Sequence, residues 1–201
     1  MRALSASLLS LALVCSAAYA GVEVEPFAGH RYGGSFEDAN TLSQFHLADN
    51  ASFGMMIDFD DTEPGKQIEV YLSRQDTQLT TSGTFTGNPL FDLTIDYYHI
   101  GGLYTLPESE RIRYFVSGTF GLTRMVPHRS DLTSENRLSI ALGGGAKYFF
   151  SDSVGLRFDA RAIYTMMNGT TDVFCSGGCT IRISGDGYIQ TEIGAALVMR
   201  F

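Results

Sequence analysis

The chain has 201 residues and a formal charge of -8, from 14 Lys and Arg against 22 Asp and Glu. That balance excludes nucleic acid as a partner, since nucleic acid requires a basic face. A hydrophobic share of 44%, with 14 Phe and 10 Tyr, excludes disorder.

Residues 1–20 read as an export signal. Arg2 supplies the positive start, Leu8 to Val14 the apolar run broken only by Ser10, and Ala18-Tyr19-Ala20 the small-x-small cleavage pattern. Cleavage is expected between Ala20 and Gly21. The apolar run is too short to span a bilayer, and Val14 is too bulky for lipid attachment at Cys15. Export leaves Cys175 and Cys179, separated by Ser176-Gly177-Gly178, in an oxidising compartment. They are expected to form a disulfide, because zinc would need further ligands nearby.

From residue 21 to 201 the chain alternates with period 2, the strand signal. Residues 22–32 set Val22, Val24 and Ala28 against Glu23, Glu25 and Phe27. Residues 51–59 set Phe53, Met55, Ile57 and Phe59 against Gly54, Met56 and Asp58, and 66–76 set Ile68, Val70 and Leu72 against Glu69, Tyr71 and Ser73. Residues 92–106 are less regular: Tyr98, Ile100, Tyr104 and Leu106 share one face while Leu93, Ile95 and Tyr97 crowd the other, which suggests a bulge. Four further strands are expected at 111–125, 138–150, 154–166 and 188–201. No later window approaches the roughly 18 apolar residues of a membrane helix.

The links between these eight strands alternate strictly. Residues 33–50, 77–91, 126–137 and 167–187 are long, while 60–65, 107–110 and 151–153 are short. In an up-and-down meander this gathers the long loops at one end and the turns at the other. Export and this asymmetry favour a barrel with polar residues inside and apolar residues toward lipid, with short periplasmic turns and long outer loops. The expected fold is therefore all-β, an eight-stranded antiparallel up-and-down transmembrane β-barrel.

At this point the chain resembles the small eight-stranded outer-membrane barrels of the OmpA and OmpX type. The resemblance rests on strand count, loop asymmetry and the closing segment Gly194 to Phe201. It implies an outer-membrane location in a Gram-negative bacterium with both termini periplasmic. It also implies an assembly signal at Ile193, Leu197, Met199 and Phe201, read by the outer-membrane assembly machinery after escort by periplasmic chaperones. Lipid and lipopolysaccharide are the expected surroundings, Arg74, Arg124 and Arg182 being candidates for phosphate contact, and a monomer is expected. Trp is absent, so the interface girdles would be built from Tyr98, Tyr104, Tyr114, Tyr148, Phe149, Phe150, Tyr164 and Phe201.

On this reading Glu23, Glu25, Asp58, Glu69, Asp159 and Glu192 point into the lumen with Arg113, Lys147, Arg157, Arg161 and Arg200. Buried charges persist only when paired, so a packed lumen requires this near-balance. Catalytic signals are sparse. His128-x-Ser130 resembles the His-x-Ser pair of lipid A deacylase barrels, yet Asp131 replaces the Asn of that family, and a polar surface loop is the plainer reading. His99 reads as a lumen hydrogen-bonding residue, and Gly143-Gly144-Gly145 as an aid to barrel curvature. The expected role is a non-enzymatic surface-interaction barrel with no cofactor or metal. The alternatives are a narrow channel for small or apolar solutes and a lipid A-modifying hydrolase.

Overall fold

The computed structural model describes residues 21–38, 44–81, 89–106, 111–167, 171–172, 182–184 and 187–201. The export signal with Ala20, and the Cys175–Cys179 pair, lie outside the described residues.

Among the described residues twelve strands follow one another: β1 (Val22–Gly33), β2 (Ser35–Asp38), β3 (Gln44–Leu47), β4 (Asn50–Asp60), β5 (Lys66–Thr81), β6 (Pro89–Thr105), β7 (Ile112–Pro127), β8 (Glu135–Phe149), β9 (Val154–Met166), β10 (Thr171–Asp172), β11 (Arg182–Ser184) and β12 (Gly187–Arg200). Eight of them close a ring in the order β1, β4, β5, β6, β7, β8, β9, β12, every pair antiparallel. The seam between β1 and β12 extends to the C-terminus, where Phe201 N–H donates to the Val22 carbonyl at 2.9 Å. A paired row starting at Val22 passes Phe59, Ile68, Gly102, Gly118, Leu142, Ala162 and Thr191 and returns at Tyr32, ten residues further along β1. Such a stagger belongs to strands tilted by roughly 35–45°.

The remaining four strands lie within what the sequence marks as long links. β2 and β3 occupy part of 33–50, β10 and β11 part of 167–187, and they add to one sheet in the order β10-β11-β2-β3-β5. β5 and β6 are 16 and 17 residues long. At about 3.3 Å per residue they are roughly 50 Å long, more than an apolar band about 25 Å tall can cover even when tilted. The long-loop end is thus a sheeted collar standing beyond the membrane zone. At the other end, Pro64 and Gly65 (φ 80°) hold the two central positions of a tight turn. Lys66 N–H donates to the Glu63 carbonyl at 3.1 Å, closing a type II turn that needs the positive φ of glycine.

Expected and observed faces differ at two places. The strand around 92–106 carries no internal bulge, because the only register shift with β5 falls at Leu79/Thr80. Its alternation runs through, and Leu93, Ile95 and Tyr97 are simply inward and fully buried. Phe149, offered above as a girdle residue, also turns inward and is buried, with the Arg113 guanidinium 4.5 Å over its ring. Tyr98, Tyr104, Tyr114, Tyr148, Phe150 and Phe201 are exposed on the outer wall, as are Ile193 and Leu197.

Candidate functional site: the packed lumen

Alternation sends every second side chain of the eight ring strands inward, where they fill the interior in tiers. At the short-turn mouth Arg200 reaches Asp60 at 2.7 Å and lies 3.8 Å from Glu23. Gln67 Nε2 donates to Asp60 at 2.8 Å. Arg113 lines this mouth, a recess of about 350 Å³, and makes no ion pair among the described residues.

One tier deeper, Lys147 on β8 meets three carboxylates: Glu23 at 2.5 Å, Glu25 at 2.7 Å and Asp58 at 2.7 Å. Those three acids lie close enough together to ligate a cation. The ammonium of Lys147 already sits among them, so the chain supplies that cation itself.

The central tier is built on Arg157 and Arg161, two residues apart on β9. Arg157 bridges to Glu25 and Glu69 at 2.7 Å each, to Asp159 at 2.7 Å and to Asp58 at 3.2 Å. Arg161 reaches Glu69 and Asp159, both at 3.1 Å. Each guanidinium also lies on an aromatic face, Arg157 over Phe115 at 4.2 Å and Arg161 over Tyr71 at 4.1 Å. Gly145 makes room for this stack, since a Cβ there would come within 2.9 Å of the Phe115 ring. Gly143 likewise leaves room in the lumen, since a Cβ there would lie 3.0 Å from the Ser117 hydroxyl and 3.2 Å from the Arg161 Cβ.

Above it, Arg31 on β1 donates to Glu192 through Nε at 3.1 Å and Nη2 at 2.7 Å, and also to Ser73. The Tyr71 hydroxyl donates to the other Glu192 oxygen at 2.6 Å. Glu192 thus pairs with Arg31 and not with the β9 arginines. Tyr97 donates to Gln190 at 2.8 Å, while His99 joins Thr119 at 3.1 Å and Ser139 at 2.7 Å. The lumen then turns apolar toward the loops, where Leu79, Phe91, Leu93, Ile95, Met125 and Tyr188 pack with Phe45 and Leu47 of β3.

The structure gathers Glu23, Glu25, Asp58, Glu69, Lys147, Arg157, Asp159 and Arg161 into one connected cluster, with Arg200 at its edge; Glu192 belongs to the separate Arg31 tier and Arg113 to the mouth. Arg31 is the lumen cation that sequence reading missed. The signal was there: continuing the parity of Glu23 and Glu25 by three pleats places residue 31 inside. The same parity places Tyr71 beside Glu69 and Tyr97 beside Ile95; only their hydroxyl partners, Glu192 and Gln190, were not legible.

Outside the barrel wall the histidine candidate is differently placed. His128 Nε2 lies 2.9 Å from the Thr94 hydroxyl, and Asp131 pairs with Arg129 at 2.5 Å. That bond holds the exposed Asp131 carboxyl below its ordinary pKa. Acid and histidine are thus engaged with separate partners and not with each other or with Ser130.

A closed ring of eight tilted strands, apolar outside and filled with paired charge inside, defines a membrane-spanning β-barrel. The chain belongs to the outer membrane protein beta-barrel domain family, whose model matches residues 6–201. That family places it in the outer membrane of a Gram-negative bacterium. Its fold is similar to Neisserial surface protein A (TM-score 0.64, 12% identity, 90% of this chain and 97% of that one). It is also similar to the outer membrane protein OprG from Pseudomonas aeruginosa (TM-score 0.55, 11% identity, 89% and 95%) and to the outer membrane protein AlkL (TM-score 0.55, 15% identity, 90% of each). No curated protein sequence matches it significantly.

Proposed function

We propose that this chain is a closed, non-enzymatic barrel that acts through the surface its loop-end collar presents, with both termini in the periplasm and the collar outside the cell. One observation carries the reading: the lumen is bridged from wall to opposite wall at three levels. Lys147–Asp58 links β8 to β4, Arg157–Glu69 links β9 to β5, and Tyr97–Gln190 links β6 to β12. In the eight-stranded ring each of these pairs lies diametrically opposed. A filled interior leaves surface contact as the route to function, with outer-membrane lipid and lipopolysaccharide as neighbours and a monomer as the working unit. Single-channel recording of the purified barrel in planar bilayers tests this, and a silent bilayer is expected. Steady conductance would instead support a narrow path for small or apolar solutes, the reading that the apolar lining of the loop half favours.

The last residues of β12 and Phe201 serve in this reading as the signal for membrane assembly. Phe201 is exposed on the outer wall at the seam with β1.

A further inference from the structure

The lipid-facing wall carries an apolar groove of about 720 Å³ near the short-turn end. Its floor is the bare backbone of Gly102 on β6 and Gly118 on β7, which are cross-strand partners. Ile68 and Leu142, the next residues along the same row, form its sides. Tyr104 and Val116 lie below, and Lys66 and Asp61 stand at the lip.

Packing does not require either glycine. A Cβ on Gly102 would meet nothing nearer than the Gln67 carbonyl oxygen at 3.9 Å, and one on Gly118 nothing nearer than Leu142 Cδ2 at 3.6 Å. The inward neighbour Gly101 is the opposite case, since a Cβ there would collide with the Gly118 carbonyl. The groove is therefore open space in a wall that the family places in the bilayer, and its volume lies in the range of small-molecule sites.

What fills it must be apolar along the floor and match the lip. That lip carries both signs within one turn: the Lys66 ammonium, ion-paired to the exposed Glu63 carboxylate, and the Asp61 carboxylate beside them. A head group with a phosphate and an ammonium satisfies both, whereas a purely anionic one meets two carboxylates for one lysine. In lipid the hydrophobic effect gives little preference between one chain and the next, so selection rests on packing and head-group contact. We propose that this groove retains one acyl chain of a zwitterionic aminophospholipid, with its head group on the Asp61–Lys66 turn.

The test is native mass spectrometry of the full barrel released from nanodiscs containing equal phosphatidylethanolamine and phosphatidylglycerol. The wild type is expected to keep one phosphatidylethanolamine. Gly102→Leu and Gly118→Leu, which fill the groove, should each lower the lipid-bound fraction about tenfold, equivalent to about 1.4 kcal/mol. Asp61→Lys combined with Glu63→Lys leaves the floor intact and should switch retention to phosphatidylglycerol. Heat-dependent gel mobility verifies folding, and the charge-reversed variant decides the matter should either leucine disturb the barrel. Equal retention in all variants, indifference to head group, or a mass of two protein chains that the leucines abolish would overturn the proposal, the last by assigning the groove to a second copy.

Discussion

The two halves of the lumen are filled by different chemistry. Toward the short turns, Lys147, Arg157 and Arg161 are held by carboxylates that reach them from β1, β4, β5 and β9. Toward the loops, Leu79, Leu93, Ile95, Met125 and Tyr188 pack as an ordinary apolar core. The charged half is specific because five carboxylates share three cations, so each cation is needed by more than one acid. The apolar half is more tolerant, because dispersion contacts are many and individually small. The charged half should therefore fail sharply when one partner is removed, and the apolar half gradually.

The largest effect is expected from Arg157→Ala. It removes the cation shared by Glu25, Asp58, Glu69 and Asp159 and leaves Lys147 and Arg161 to hold them all, an uncompensated buried charge that costs about 3–5 kcal/mol. Denaturant titration in lipid vesicles measures it, and a loss below 1 kcal/mol would mean that water solvates those acids. Next comes Ile95→Ala in the apolar half, with an expected loss of about 2–4 kcal/mol from lost contact and the residual cavity. A loss as large as that of Arg157→Ala would erase the contrast between the halves. Asp159→Ala should cost less, about 1–2 kcal/mol, because Arg157 keeps Glu25 and Glu69, and Arg161 keeps Glu69. Arg157 ranks above this aspartate, since more bridges converge there. Phe158→Leu on the outer wall should shift stability by under about 1 kcal/mol, as lipid refills the lost volume. The same titration ranks all four.

Deletion of Phe201 probes assembly and not lumen packing. Insertion into the membrane should fall sharply in pulse-chase fractionation while the lumen residues are unchanged. Normal insertion would remove the assembly role from the β12 end.

Much of this was legible in the chain. Strict alternation in 154–166 placed Arg157, Asp159 and Arg161 on one face, because a pleated strand turns consecutive side chains to opposite sides whatever lies around it. The long and short links predicted which strand ends gather together. The same logic would have reached Arg31 had the parity of β1 been followed to its end. It misjudged Leu93, Ile95 and Tyr97 because inward apolar residues contradict the simple rule of polar inside and apolar outside. A bulge was the local remedy, while the actual cause is that the interior changes character along its length.

Sequence by itself determined the eight ring strands, most of their faces and the count that closes a barrel, since these depend on local periodicity and link length; the four collar strands inside the long links were not among them. Only the tertiary structure decided which charge meets which. Glu192 joins Arg31, Glu69 takes both β9 arginines, and Lys147 gathers Glu23, Glu25 and Asp58. Partner choice depends on the ten-residue stagger around the ring, which sets the height at which each inward side chain lies. That stagger belongs to the closed sheet as a whole and to no single strand, because hydrogen-bond register becomes fixed only when β12 returns to β1.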